Sequence, residues 1–146
     1  MRKLKTIFKL VVFLFLLGTY STILAQEQSN VIQYHGESTK FAFMVTNTKH
    51  FKSVIATAEN MEIKKNDFSF EIVVVGKLAE DLVKDKELIK QIDKSVALGV
   101  KIVVCEGALA RFNIPKSDLD KRLLTTPNGW IYMFELKDRG FNTLSI

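Results

Sequence analysis

Cysteine is almost absent from this chain: Cys105 stands alone among 146 residues. A single thiol excludes an internal disulfide, so it is buried, paired between chains, or kept for chemistry. Histidine is nearly as scarce. His35 and His50 lie far from each other and from Cys105 in sequence, so no metal-ligand spacing exists, and neither a metal nor a cofactor is expected. There is also no glycine-rich phosphate loop, no serine-nucleophile motif and no paired-carboxylate signature. Internal repeats and low-complexity tracts are missing as well.

Acidic side chains are absent from residues 1–25, which carry Arg2, Lys3, Lys5 and Lys9, then an apolar stretch centred on Leu10 to Leu17, then small and polar residues up to Ala25. That is the layout of a secretory signal peptide, with the cut expected after Ala25. The alternative is an uncleaved anchor that leaves the protein on the membrane. Against it, Lys9, Thr19, Ser21 and Thr22 shorten the apolar run. Removing four basic and no acidic side chains lowers the formal charge from +5 to +1. The remaining Lys and Arg alternate with Asp and Glu, so no nucleic-acid partner is expected, and after cleavage no membrane contact. About 120 residues remain, enough for one domain with a real core.

Residues 26–39 are polar and aperiodic and read as a flexible lead-in; the domain is expected over 40–146. "KFAFMVT", "FSFEIVVVG" and "VKIVVC" are near-continuous apolar runs that suit strands buried on both faces of a parallel sheet. Between them, Phe51, Val54, Ile55, Ala58 and Met61 have helical spacing, as do Leu88, Ile89, Ile92 and Val96. Gly99 follows as a left-handed helix terminator. Further on, Ser117 is placed to cap a short helix, "RLLTT" reads as a brief strand, and Pro127 breaks the chain. Asn128 then caps a helix on which Trp130, Met133, Phe134 and Lys137 share a face, closed by Gly140 before the strand "FNTLSI". Trp130, Met133 and Phe134 either pack this helix on the sheet, or contribute to a subunit interface, or both. The pattern predicts an α/β fold: three layers, a five-stranded, mostly parallel sheet with helices on both faces, and the flavodoxin-like strand order 2-1-3-4-5.

In that order the ligand crevice lies between the first and third strands, at their carboxyl ends. Cys105 ends the third strand. It would face the loop carrying Asn47, Lys49 and His50. At the end of the second strand, Gly76 would let a backbone approach a ligand, and Lys77 would then reach an anion. A helix starting near Gly107 would favour the thiolate through its N-terminal N–H groups and dipole, Glu106 would oppose that, and Arg111 would assist by folding back. Each residue has a plainer reading: Cys105 as a small buried hydrophobe, His50 as incidental at a solvated helix start, Gly76 as a turn glycine.

"VVCEGALARFNI" resembles the segment around the conserved cysteine of the DsrE/DsrF-like proteins, "FEIVVVGKLAEDL" is similar to their second strand and following loop, and "NGWIYMFELKDRGFNTLSI" to their last helix and terminal strand. The resemblance covers about Phe41 to Ile146. It implies a three-layer α/β fold, a homotrimer or homohexamer, and sulfurtransferase-like activity, if any, in which Cys105 holds a persulfide and Arg111 matches a downstream arginine. A small sulfur compound or a sulfur-relay protein would then be the partner. Sulfur-relay members work in the cytoplasm, whereas the export signal here points to the periplasm. The residues leave two other readings open: a non-catalytic module binding a small ligand in the crevice, and a structural oligomer.

Overall fold

The computed structural model describes residues 34–146. The expected signal peptide and the first part of the lead-in lie outside them. Within the rest of the lead-in, the Tyr34 ring stands edge-on to Phe41 and Phe68, at centroid distances of 5.1 and 6.2 Å.

Five parallel strands form one sheet: β1 (Lys40–Val45), β2 (Ser69–Val74), β3 (Lys101–Cys105), β4 (Leu124–Thr126) and β5 (Asn142–Ser145). The three apolar runs become β1, β2 and β3, the centre of the sheet. Helix α1 (Thr48–Asn60) follows β1; α2 (Leu78–Lys84) and α3 (Leu88–Leu98) follow β2; α4 (Glu106–Arg111) follows β3; α5 (Gly129–Asp138) joins β4 to β5. Among the described residues no helix is long and apolar enough to cross a membrane.

The α/β class and the parallel sheet agree with the sequence reading, but the strand order does not. It is β4-β3-β2-β1-β5, so β2 separates β1 from β3. The handedness of crossovers explains the layout. From β1 to β4 the chain steps one strand at a time in one direction, which puts α1 to α4 on one face. The last connection runs back across the sheet to the free edge of β1, so a right-handed path places α5 on the opposite face. The larger core joins Phe41, Val45, Ile72, Val74, Ile102 and Val104 to Phe51, Ile55, Leu78, Ile92 and Leu109 from α1 to α4. The smaller joins Ala42 and Val73 to Met133 and Leu136 of α5.

Three local expectations need correction. In α3, Ile89 and Val96 are 48% and 46% exposed, and the buried face is Leu88, Ile92 and Ser95. Ser95 is accommodated because its hydroxyl donates to the Gln91 carbonyl at 2.8 Å. Ser117 caps no helix: it lies within a single 3-10 turn, Lys116–Asp118, preceded by Pro115. On α5, Met133 faces the sheet with Leu136, while Trp130 and Phe134 point away, 65% and 68% exposed. Helix α2 and the single-helix cover of the second face have no counterpart in the sequence reading.

Helix α5 is fixed by both of its ends. Asn128 accepts hydrogen bonds from the N–H groups of Trp130 and Ile131, and Gly140, at φ +83°, ends the helix region. Between them, the Tyr132 hydroxyl donates to Glu71 at 2.8 Å. Glu71 is a buried carboxylate on β2, with Lys101 Nζ 3.9 Å from it. Burial raises the Tyr132 pKa, and Glu71 adds to the rise. The Arg139 guanidinium lies 5.4 Å over the Tyr132 ring. A buried carboxylate without its donors is costly, so this network fixes how α5 sits along the strands.

On the other face, Arg122 ties the β4 approach to α3 through Asp93 at 2.6 Å and to Asp120 at 2.6 Å. Its hydrogen bonds hold the Asp120 carboxyl at about 2, against an ordinary 3.8. Because the folded value lies below the unfolded one, this contribution is complete above the unfolded value and is lost as pH falls through the folded one. Asp120→Asn is expected to be less stable than wild type in urea near neutral pH, with the gap closing from about pH 4 to about pH 2. A gap that stays constant over that acid range would contradict the assignment.

Candidate functional site

A cavity of about 510 Å³ opens at the carboxyl ends of β1, β2 and β3, on the face covered by α5. Met44 of β1 and Thr46 just past its end line it, with Val75 and Gly76 just past β2 and Cys105 from β3. Gly107, Ala108 and Arg111 of α4 close one side, and Pro127 to Trp130 the other.

Strand alternation puts Cys105 here. Ile102 and Val104 face the α1–α4 core, so Val103 and Cys105 face α5. The thiol is half-buried and in no disulfide. Its Sγ lies 3.3 Å from the N–H of Gly129, which donates to it. The first amide of α5 therefore points at sulfur, while the next two are taken by the Asn128 side chain and the Tyr132 N–H bonds the Asn128 carbonyl. The N-terminus of α5 thus has its amides engaged, one of them by Cys105 in place of a conventional capping oxygen.

This contact depends on Gly129. A Cβ there would lie 2.7 Å from Val75 Cγ1 and 3.3 Å from Cys105 Cβ, closer than packed atoms tolerate. Only glycine lets the first turn of α5 reach the strands. Gly107 also flanks the thiol, but a Cβ there would meet Sγ at 3.6 Å, an ordinary contact. Glu106 does not turn toward the sulfur. It pairs with Lys116, and Thr125 Oγ1 donates to it at 2.9 Å. Those partners, Lys116 first, hold its carboxyl below the ordinary range. The opposing charge expected beside the thiol is thus directed elsewhere.

Of the candidate residues, Cys105, Arg111 and Gly76 meet at the cavity, and Asn47, His50 and Lys77 are not among its lining. With β2 between β1 and β3, Thr46 still reaches the cavity edge, but the residues after it are taken up by the start of α1. Asn47 instead caps α1, accepting from the His50 N–H at 2.9 Å, and its amide lies 3.0 Å from His50 Nδ1. The Lys77 ammonium pairs with Asp81, which raises its pKa, with Glu80 nearby. Gly76 adopts φ +61°, a backbone requirement in a turn. The sequence reading missed Gly129 and Trp130 as site residues. The available signal was Pro127-Asn128-Gly129, a break and a helix cap followed by a residue with no side chain.

No family model matches the chain, and no curated protein does. Among solved structures it is similar to a protein of unknown function, MTH1491, from Methanobacterium thermoautotrophicum, at 15% identity and a TM-score of 0.60, over 73% of this chain and 98% of that one. It is also similar to BT1422, a conserved protein of unknown function from Bacteroides thetaiotaomicron. There the identity is 17% and the TM-score 0.58, over 76% of this chain and 99% of that one. These similarities establish a shared α/β fold.

Gly129→Ala is expected to lower stability by about 1–3 kcal/mol in urea unfolding, because the added methyl overpacks the seat of α5. Gly107→Ala, with only ordinary contacts around the new methyl, is expected within about 0.5 kcal/mol of wild type. Equal losses in both variants would show that the close approach at Gly129 is not what holds α5 in place.

Proposed function

We propose that this is an exported DsrE/DsrF-like protein that carries sulfur as a persulfide on Cys105, in the manner of a sulfurtransferase. The observation that carries the reading is the thiol itself: half-buried on the wall of an open cavity, with a helix N-terminal N–H directed at its sulfur. The Gly129 N–H orients the sulfur at the cavity wall, and the thiolate is the nucleophile in sulfur transfer. The same donor would serve the inner sulfur of a persulfide. The strand, cysteine and helix order of "VVCEGALARFNI" supports the family assignment, and the amino-terminal segment supports export to the periplasm. A second reading, a small-ligand-binding module without sulfur chemistry, is supported by the size of the cavity.

Two separate samples of native protein test the carrier reading: one is labelled with iodoacetamide, the other is incubated with polysulfide, and each is weighed by mass spectrometry. The expected outcome is labelling without denaturant and a gain of one sulfur atom that Cys105→Ser does not show. Labelling only after unfolding, or equal gain by the variant, would end it.

Assembly into a homotrimer or homohexamer belongs to the same proposal. Helix α5 is apolar on both sides, and its outer surface carries Trp130, Ile131 and Phe134, the second of these 55% exposed. A contiguous group of large exposed apolar side chains marks a surface that is ordinarily covered. Light scattering on residues 26–146 at micromolar concentration is expected to give an oligomer that Phe134→Glu weakens; a monomeric wild type would remove this part of the proposal.

A further inference from the structure

The cavity is much larger than the thiol requires. Its volume of about 510 Å³ lies in the range of sites for organic molecules; a bare sulfur anion would fill little of it. Met44, Val75, Ala108 and Trp130 make most of its wall apolar, and among the described residues Arg111 is the one charged residue lining it. Among the described residues, Arg111 makes no ion pair. The neighbouring acid, Glu106, is engaged with Lys116 and Thr125. The opening amides of α5 are engaged too, and the guanidinium is the charged donor at the cavity, with forked N–H groups that suit an oxyanion.

We infer that the cavity takes an organic thiosulfonate: an apolar, preferably aromatic body against Met44, Val75 and Trp130, with its sulfonyl oxygens held by Arg111. The inference deepens the sulfur-carrier reading and rests on it for the chemistry. The Cys105 thiol loses its proton to solvent, and the thiolate attacks the terminal sulfur of the thiosulfonate. A bond forms between Sγ and that sulfur, and the bond between it and the sulfonyl sulfur breaks. The electron pair leaves with the sulfinate, and Cys105 is left as a persulfide anion. The charges balance, and no outside oxidant or reductant is needed.

Trp130 is the only tryptophan of the chain, so its fluorescence reports occupancy directly. Cys105→Ser protein, which binds without reacting, is titrated with benzenethiosulfonate and, separately, with inorganic thiosulfate, which has the sulfane sulfur but no apolar body. The expected result is saturable quenching by benzenethiosulfonate, with thiosulfate weaker by at least about tenfold, or about 1.4 kcal/mol. Arg111→Gln in the same background is expected to weaken benzenethiosulfonate by at least about tenfold and Arg111→Lys by less, with circular dichroism unchanged. Equal binding of the two anions, no binding, or indifference to Arg111→Gln would overturn the inference. Failure of the carrier reading looks different: selective, Arg111-dependent binding persists, but wild-type protein gains no sulfur from benzenethiosulfonate or polysulfide. Sulfur gain from polysulfide without selective binding leaves the carrier and removes the thiosulfonate.

Discussion

The structure depends on one close approach, the seating of the first turn of α5 against β2 and β3 at Gly129. A helix usually stands off a sheet by the length of the side chains between them. Here a residue with no side chain lets the backbone come within contact distance of Val75 and Cys105. Further along, Met133 and Leu136 restore the ordinary spacing over Ala42 and Val73. Tyr132 and Glu71 set the position of the helix along its axis. The hydrogen bond to Sγ follows from these constraints together, because the helix can neither slide nor lift without exposing Glu71 or the small core beneath it.

The same geometry explains why this end of the sheet has a cavity. Among the described residues four helices cover one face and only α5 the other, so the second face is protected along one line. Where α5 begins, its first turn lies close to β2 and β3, and the strand ends beside it are left uncovered. Cys105 stands at that boundary because β3 ends there: Val104 is fully buried in the large core, whereas Cys105 is only half-buried and packs against its edge. A register shifted by one residue would bury the thiol among α1 to α4 and leave valine in the cavity.

Much of the fold was legible because its signals are local. Apolar runs marked β1 to β3, the Asn128 cap and the Gly99 and Gly140 stops marked helix ends, and all three glycine and asparagine signals act within a few residues. Strand order was not legible in the same way. Both 2-1-3-4-5 and 4-3-2-1-5 satisfy right-handed crossovers with the same alternation of elements, and only contacts distant in sequence separate them. Adopting the commoner order brought Asn47 and His50 to Cys105 on paper, whereas they cap and open α1. Cys105 at the carboxyl edge survives the change, because that placement depends only on a strand ending there. Arg111 survives too, since α4 follows Cys105 without a loop. Gly129 was hidden for the opposite reason: its role is a contact made by having no side chain, which no pattern of apolar and polar residues records.

Charge around the thiol is allotted with little left over. Glu106 is drawn to Lys116 and Thr125, Lys77 to Asp81 and Glu80, and the α5 amides to Asn128 and to sulfur itself. Each of these groups lies within a short stretch of chain from a cavity-lining residue, and each is satisfied locally. Arg111 is the exception, a guanidinium that makes no ion pair among the described residues and lines a cavity whose wall is mostly apolar. A cavity built this way selects by a single charge and by shape. Selectivity of that kind favours a ligand that brings both an oxyanion and an apolar body over one that brings charge alone, since water competes well for a bare ion and poorly for a hydrocarbon face.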